Sequence, residues 1–330
     1  MRKSPPVPAQ WPDAIMTEQN IPHPAFQKLL AACKTLPPVV TAIVHPCDTA
    51  TLLAIAEAEK HGLITPVLVG PNAKILNSAA EAGVDISAYP LIDTPHSHAS
   101  AEAAIALVRQ GKAAALMKGS LHTDELLEPA LDRVQGIRTE RRISHCFVMA
   151  MPGRAEPFIV SDAAVNIAPT LAEKADIVQN AIDLATALHW TDLRVAILSA
   201  TEMINPAIQS TLDAAALCKM ADRGQITGAL IDGPLAFDNA IDQAAVSQKQ
   251  INSPVAGRAN ILIVPDLEAG NILAKSLSFM AHAEAAGIAM GARVPIILTS
   301  RADTVASRVV SCALAVLVSQ IPLLKGIAKG

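Results

Sequence analysis

Short unbroken apolar runs alternate along this chain with longer stretches in which apolar residues recur at helical spacing. Val39 to Val44 is β-branched and predicts a strand, and Thr49 to Lys60 predicts an amphipathic helix with Asp48 placed to cap its start and Gly62 to stop it. Pro66 to Val69 predicts the next strand. Helices follow over Pro71–Ala82, ending at Gly83, and over His98–Gln110, ending at Gly111, before a strand over Ala113–Met117. Cys146–Met151, Phe158–Val160, Val195–Leu198, Ala229–Ile231, Ile261–Val264 and Val294–Thr299 are further predicted strands. Pro169–Leu188, Pro206–Asp222 and Leu267–Ala286 have the spacing of helices packed on a sheet, with Gly224 and Gly287 where helices would stop. This order implies an α/β fold of βαβ units on a mainly parallel sheet. The turn-like Arg154–Pro157 between two apolar runs predicts a locally antiparallel part. Residues 1–24 carry Pro5, Pro6, Pro8, Pro12, Pro22 and Pro24, which predicts a flexible tail.

Composition narrows the possible functions. A chain of 330 residues that is 51% hydrophobic can bury a large core, and its length favours two domains or one large one. With 2% aromatic residues and a formal charge of −4, it offers neither a base-stacking surface nor a broad basic face, so nucleic acid is not an expected partner. Cys33, Cys47, Cys146, Cys218 and Cys312 form no C-x-x-C pair, which argues against a zinc knuckle or disulfide framework and for a reducing cytoplasm. No signal peptide follows Met1, and polar residues interrupt the apolar tract Val309–Leu324, so no membrane span is expected.

Candidate chemistry collects where predicted strands stop, the usual ligand position in open α/β sheets. Lys118, Gly119, Ser120 and His122 follow Ala113–Met117, and Asp162 follows Phe158–Val160. Asp232 and Asp238 follow Ala229–Ile231, Asp266 and Asn271 follow Ile261–Val264, and Ser300 and Arg301 end the run Val294–Thr299. A hydroxyl beside a guanidinium suits chemistry that joins phosphate to a carbonyl, because the guanidinium fork matches phosphate and the hydroxyl can donate to an oxyanion. Taken one at a time, these residues also fit plain helix caps and turn acids. Asp232 with Asp238 could instead hold magnesium. His96 and His98 are two apart and point to different faces of a helix, and no zinc motif occurs, so no metal centre is expected. Neither a G-x-G-x-x-G after the first strand nor a P-loop is present. Arg138, Arg141 and Arg142 form a local basic cluster that could offer one phosphate ligand.

Four segments in order resemble the phosphate acetyl- and butyryltransferases, which exchange coenzyme A and phosphate on an acyl group. They are Asp232-Gly233-Pro234-Leu235-Ala236-Phe237-Asp238, Ser253 to Asn260, Pro265-Asp266-Leu267-Glu268-Ala269-Gly270-Asn271 and Leu298-Thr299-Ser300-Arg301-Ala302-Asp303. The resemblance runs from about Phe26 to the C-terminus. Met117-Lys118-Gly119 and Gly136-Ile137-Arg138-Thr139 look closer to the butyryl branch, and the chain is similar to the transferase half of bacterial proteins fused to an enoyl-CoA hydratase-like domain.

The resemblance implies two three-layer α/β/α domains with a cleft between them, of the isocitrate/isopropylmalate dehydrogenase kind. Residues 25–143 plus 289–330 would form a discontinuous first domain carrying Ser300 and Arg301, and 144–288 a second domain supporting a homodimer. It further implies acyl-CoA and inorganic phosphate as substrates, no cofactor beyond coenzyme A as substrate, and Ser300 and Arg301 as the catalytic pair. Phosphate would lie against Arg301, Arg138 and Lys118, with Asp303 or His122 managing the thiol proton. Gly119, Ser120, Asp162, Asp232, Asp238, Asp266 and Asn271 would border the substrate cleft. Ser307 stands where the acetyl branch has an aspartate, and Glu128 aligns near one of its arginines; Arg138 is the candidate replacement. The rivals are a non-catalytic acyl-CoA-binding or scaffold protein and a β-decarboxylating dehydrogenase-like enzyme sharing the fold.

Overall fold

The computed structural model of the protein describes residues 22–300 and 302–320. Its first elements are α1 (Pro24–Cys33), β1 (Val39–Val44), α2 (Thr49–Lys60), β2 (Ile64–Gly70), α3 (Asn72–Ala82), β3 (Leu91–Asp93), α4 (Ser97–Arg109), β4 (Ala115–Lys118) and α5 (Thr123–Leu131). The chain continues with β5 (Ser144–Ala150), β6 (Phe158–Ser161), α6 (Leu171–Ala187), β7 (Arg194–Leu198), α7 (Gln209–Asp222) and β8 (Leu230–Leu235). The last elements are α8 (Phe237–Ile241), α9 (Gln243–Lys249), β9 (Ile261–Ile263), α10 (Leu267–Met280), β10 (Glu284–Met290), β11 (Ile296–Ile297) and α11 (Val305–Ser319).

Local chemistry sets many of these boundaries. Asp48 caps α2 by accepting from the Thr51 N–H at 2.8 Å, and Gly83 ends α3 in the left-handed region at φ 66°. The predicted tail is described only from Pro22, and residues 1–21 lie outside the described residues. Pro22 to Pro24 are anchored: the His23 N–H donates to the Glu284 carboxylate at 3.0 Å, and Pro24 opens α1.

Among the described residues the strands form one eleven-stranded sheet ordered β3-β2-β1-β4-β11-β10-β5-β6-β9-β7-β8. The two ends are parallel. In the centre β10 runs antiparallel to both β11 and β5, and β5 antiparallel to β6, as the Arg154–Pro157 turn predicts. Three expectations require correction. The helix expected over Leu267–Ala286 stops at Met280: His282 takes φ 55°, and Glu284–Met290 pairs along its whole length with Ser144–Ala150. Alanine-rich spacing reads as helix, and cross-strand pairing overrides it. Asp232 to Leu235 do not follow a strand but lie inside β8, whose position at the sheet edge tolerates Pro234. The last predicted strand shrinks from Val294–Thr299 to Ile296–Ile297.

The core is continuous on one face of the sheet and divided on the other. Ile43, Met117, Cys146, Val148, Ile159, Ile261, Ile288 and Ile297 join α1, α2, α3, α6, α7 and α11 in a single cluster beneath the whole sheet. On the opposite face, Val44, Leu116, Ile296 and Leu298 pack with α4 and α5, whereas Met149, Val160, Ala196 and Leu262 pack with α8, α9 and α10. The gap between these two clusters lies over β5 and β10. No described helix is long and apolar enough to cross a membrane.

Burial on the continuous face pushes the thiols up, that of Cys33 to about 11 and those of Cys146 and Cys312 to about 12. Folded and unfolded chains both keep these protons below the ordinary thiol value of 9.0, so their contribution to stability is complete there. Above it the unfolded chain ionises first, and stability falls by about 1.4 kcal/mol per thiol per pH unit until the folded thiols also ionise. The denaturant midpoint is therefore expected to drop steeply between about pH 9 and about pH 11. A midpoint level over that interval would contradict the assignment.

Candidate active site

A cavity of about 470 Å³ opens on the divided face. Alternation along β5 and β10 decides what reaches it. Cys146 and Val148 point into the continuous core, so His145 and Phe147 face the opposite way, across from Ala289 and Gly287. The cavity's floor is His145, Phe147 and Ala285; α10 contributes Asn271, Lys275 and Phe279, and the segment after β11 contributes Leu298 to Ser300, Asp303 and Ser307.

Thr299, Ser300 and Asp303 are held from beneath by Arg308. This arginine is 3% exposed and lies on the first turn of α11, where its guanidinium donates to the Ser300 carbonyl at 3.0 Å, the Thr299 hydroxyl at 3.1 Å and the Asp303 carbonyl at 3.4 Å. Asp303 closes the loop by accepting from the Ser300 N–H at 2.7 Å, and Thr304 caps α11 by accepting from the Ser307 N–H at 3.1 Å. Ser300 is thereby exposed at the cavity rim beside a half-buried carboxylate. Burial pushes the Asp303 carboxyl above its usual range, opposed by the Ser300 N–H and by the charges of Arg308, His145 and Lys118.

His145, 1% exposed, has Nε2 3.1 Å from the Leu298 carbonyl and its ring edge-on to Phe147 with centroids 4.3 Å apart. Its Nδ1 has no hydrogen-bond partner among the described residues. Burial lowers the tendency of the ring to protonate, against the charges of Asp162 and Asp303, which favour protonation.

Of the residues expected at the site, Ser300, Asp303 and Asn271 line this cavity. Asn271 also donates to the Ala163 carbonyl at 3.2 Å. Lys118 is buried at the end of β4, with Nζ donating to the Leu121 carbonyl at 3.1 Å and to the Gly119 carbonyl at 3.3 Å, and its charge reaches Asp303. Arg301 lies outside the described residues.

The other expected residues do not line the cavity, and several have local tasks. Ser120 donates to the His45 carbonyl at 3.0 Å, and Gly119 passes so close to that carbonyl that a Cβ would stand 2.6 Å from it. Asp162 is buried and accepts the backbone N–H groups of Ala164, Val165 and Asn166, so it organises the loop after β6. Asp266 caps α10. Asp232 accepts the Gly233 N–H, and Asp238 is exposed near Lys249 at 3.6 Å, so neither is arranged as the suggested magnesium ligand. Among the described residues no cluster of three or more His, Cys, Asp or Glu is placed to hold a metal ion. His122 is exposed, and its backbone N–H donates to Glu125. Arg138 is exposed, with its backbone bridged to Ala292.

Two residues at or beneath the crevice escaped the reading of motifs. Arg308 is a lone cation at the head of the apolar stretch Val305–Val318, and that isolation was the available signal. His145 precedes the predicted start of β5 by one residue; a polar side chain directly ahead of a buried run is a weaker one.

Comparison with known proteins gives consistent matches. The family model described as phosphate acetyl/butaryl transferase matches residues 97–316. The phosphate acetyltransferase of Rhizobium meliloti is 58% identical over 292 residues, 88% of this chain and 92% of that protein. The phosphate butyryltransferase of Clostridium acetobutylicum is 36% identical, covering 89% of this chain and 98% of its own. The crystal structure of a branched-chain phosphotransacylase from Enterococcus faecalis V583 superposes with a TM-score of 0.74 at 30% identity, covering 85% of this chain and 99% of that one.

Arg308→Lys keeps the charge and removes the fork. It is expected to cost about 2 kcal/mol in denaturant unfolding and to speed hydrogen exchange at the Ser300 and Asp303 amides relative to the sheet. Unchanged exchange at those two amides would show that the loop is held by something else.

Proposed function

The chain belongs to the phosphate acetyl/butyryl transferase family, and we propose that its crevice at Ser300 and Asp303 is where a short acyl group passes between coenzyme A and inorganic phosphate. It is an acyltransferase: acyl-CoA and phosphate give acyl phosphate and coenzyme A. The observation that carries the assignment to this crevice is the seating of the Ser300 hydroxyl at the rim of a cavity walled by Phe147, Leu298 and Phe279, with Lys275 at its edge and the charge of Lys118 felt at Asp303.

In our reading both substrates are held at once. A phosphate oxygen attacks the thioester carbonyl, one tetrahedral oxyanion forms, and the C–S bond breaks with its electron pair leaving on sulfur. Ser300 donates to the oxyanion, and Arg301 holds phosphate, supported by the charge of Lys118. Arg138, exposed and away from the cavity lining, drops out of this set. No cofactor is invoked, coenzyme A being a substrate. A non-catalytic binding or scaffold role has no separate observation in its favour.

We also retain a division at 143/144 and 288/289, supported by β1 to β4 and β11 adjoining one another and β5 to β9 doing likewise, with β10 spanning the second boundary and joining the two groups. The homodimer reading draws support from Ile272, Phe279 and Met280 exposed on α10, and the cytoplasmic one from five free cysteines.

Thiol release from acetyl-, propionyl- and butyryl-CoA, with phosphate or arsenate, tests the reaction directly. Ser300→Ala should lower kcat about 10²–10³-fold with KM within a fewfold, because the lost donor acts on charge that develops during reaction. Undiminished turnover would remove Ser300 from the mechanism. Light scattering should give twice the chain mass for the native protein and a smaller value for the Ile272→Lys/Met280→Lys double variant.

A further inference from the structure

Beside Ser300 the cavity floor carries almost no side-chain bulk. Side chains alternate along β10, so Ala286 and Ile288 enter the continuous core while Ala285 and Gly287 face the divided side. The same alternation continues past β11. Ile297 lies in the continuous core, Leu298 packs on the divided face, the Thr299 hydroxyl accepts from Arg308 beneath, and Ser300 lines the cavity. Ile288 pairs with Ile297, and a Cβ on Gly287 would collide with the Leu298 carbonyl, so the two segments run side by side. One step of the alternation beyond that contact, Ala285 and Ser300 both line the cavity. Phe147, set across from Gly287 on β5, borders the same floor.

Resting on the transferase reading above, we propose that this floor is the acyl subsite: the alkyl chain of the acyl thioester lies over Ala285 and against Phe147, and the bulk of those two side chains selects the acyl groups that react. The thioester carbonyl must come to the Ser300 hydroxyl, so the carbons attached to it stay within short reach of that residue. Apolar surface there stabilises them, each methylene removed from water being worth about fourfold in affinity. Ala285 and Phe147 supply that surface, and Ala274 of α10, which is buried and lines the cavity, adds to it. The carboxylate next in the chain is engaged elsewhere, since Glu284 accepts from the His23 N–H. Asp303, Thr304 and Ser307 reach the cavity from the loop after β11 and the start of α11, which leaves the β10 side to the alkyl chain.

The space over Ala285 sets a length. Ala285→Leu would place three further carbons there, as many as the alkyl chain of a butyryl group holds, so acyl groups of up to four carbons fit above the native alanine. Phe147 is a fixed wall to this space, its ring held edge-on against His145 with centroids 4.3 Å apart.

The test compares kcat/KM for acetyl-, propionyl- and butyryl-CoA with phosphate. The native protein should use butyryl-CoA at least as well as acetyl-CoA. Ala285→Leu should lower the butyryl-to-acetyl ratio about tenfold or more, because the added carbons occupy the space of the longer chain. Phe147→Ala should move the ratio the other way, by about fourfold per methylene accommodated. Ala164→Leu, which adds bulk to the lining from the loop after β6, should leave the ratio where it is. Should Ala285→Leu not fold, Ala285→Val should lower the ratio by a smaller factor, and Phe147→Ala still tests the sign. A native protein that uses acetyl-CoA and rejects butyryl-CoA would overturn the proposal. So would a loss by the same factor for all three substrates in Ala285→Leu, or a ratio that responds to Ala164→Leu and to neither floor variant. A native protein that releases no thiol from any acyl-CoA would sink the transferase reading instead.

Discussion

The alternation of side chains along two central strands is the constraint from which the site follows. On β5 and β10, Cys146, Val148, Ala286 and Ile288 fill one core, which obliges His145, Phe147, Ala285 and Gly287 to face the other side. The first face closes without interruption beneath the whole sheet. The second carries two helical clusters that stop short of each other, and small residues on β10 keep the floor between them low enough to leave a cavity. An open place for a ligand thus arises from a packed sheet without any loss of core on the reverse side.

Onto this floor the loop after β11 brings Ser300 and Asp303, and its shape depends on a buried cation. Arg308 has no paired carboxylate at salt-bridge distance among the described residues; its fork is instead satisfied by carbonyl and hydroxyl oxygens of Thr299, Ser300 and Asp303. Backbone carbonyls so engaged turn the opposite side of the loop, the Ser300 N–H and hydroxyl, toward Asp303 and the cavity. Arg308 thus fixes the loop from outside the cavity lining, the kind of preorganisation that lets a donor meet developing charge without a reorganisation cost.

Much of this was legible in the chain. β1 and α2 were predicted to the residue, because a β-branched run and a capped amphipathic stretch each obey a local rule. Most of the other predicted helices and strands differ by a few residues at their ends, where caps and fraying decide, whereas α1, β3, α5, α8, α9, β10 and α11 were not predicted. Ser300 and Asp303 were found from their place after an apolar run and from the family motif. Asp162 was drawn into the same site by position, and Asp232 and Asp266 by position and by the family segments; all three turned out to hold turns and a helix start, the ordinary work of acids at strand ends. Position after a strand cannot separate these tasks, because both need a short carboxylate near free backbone N–H groups.

By itself the sequence determined the alternating α/β class, the family, and the hydroxyl and acid that lie in the crevice, because each is written in local periodicity or contiguous motif. Tertiary structure alone decided that Glu284–Met290 is a strand rather than the end of a helix, that Arg308 holds the loop, and that His145 stands in the cavity wall. Two of those outcomes depend on pairing between segments far apart in the chain, 284–290 with 144–150 and the His145 ring with the Leu298 carbonyl, and the third on how α11 folds back on the loop just before it. Local spacing carries no information about such partners; it is the burial of both faces of one sheet that brings them together.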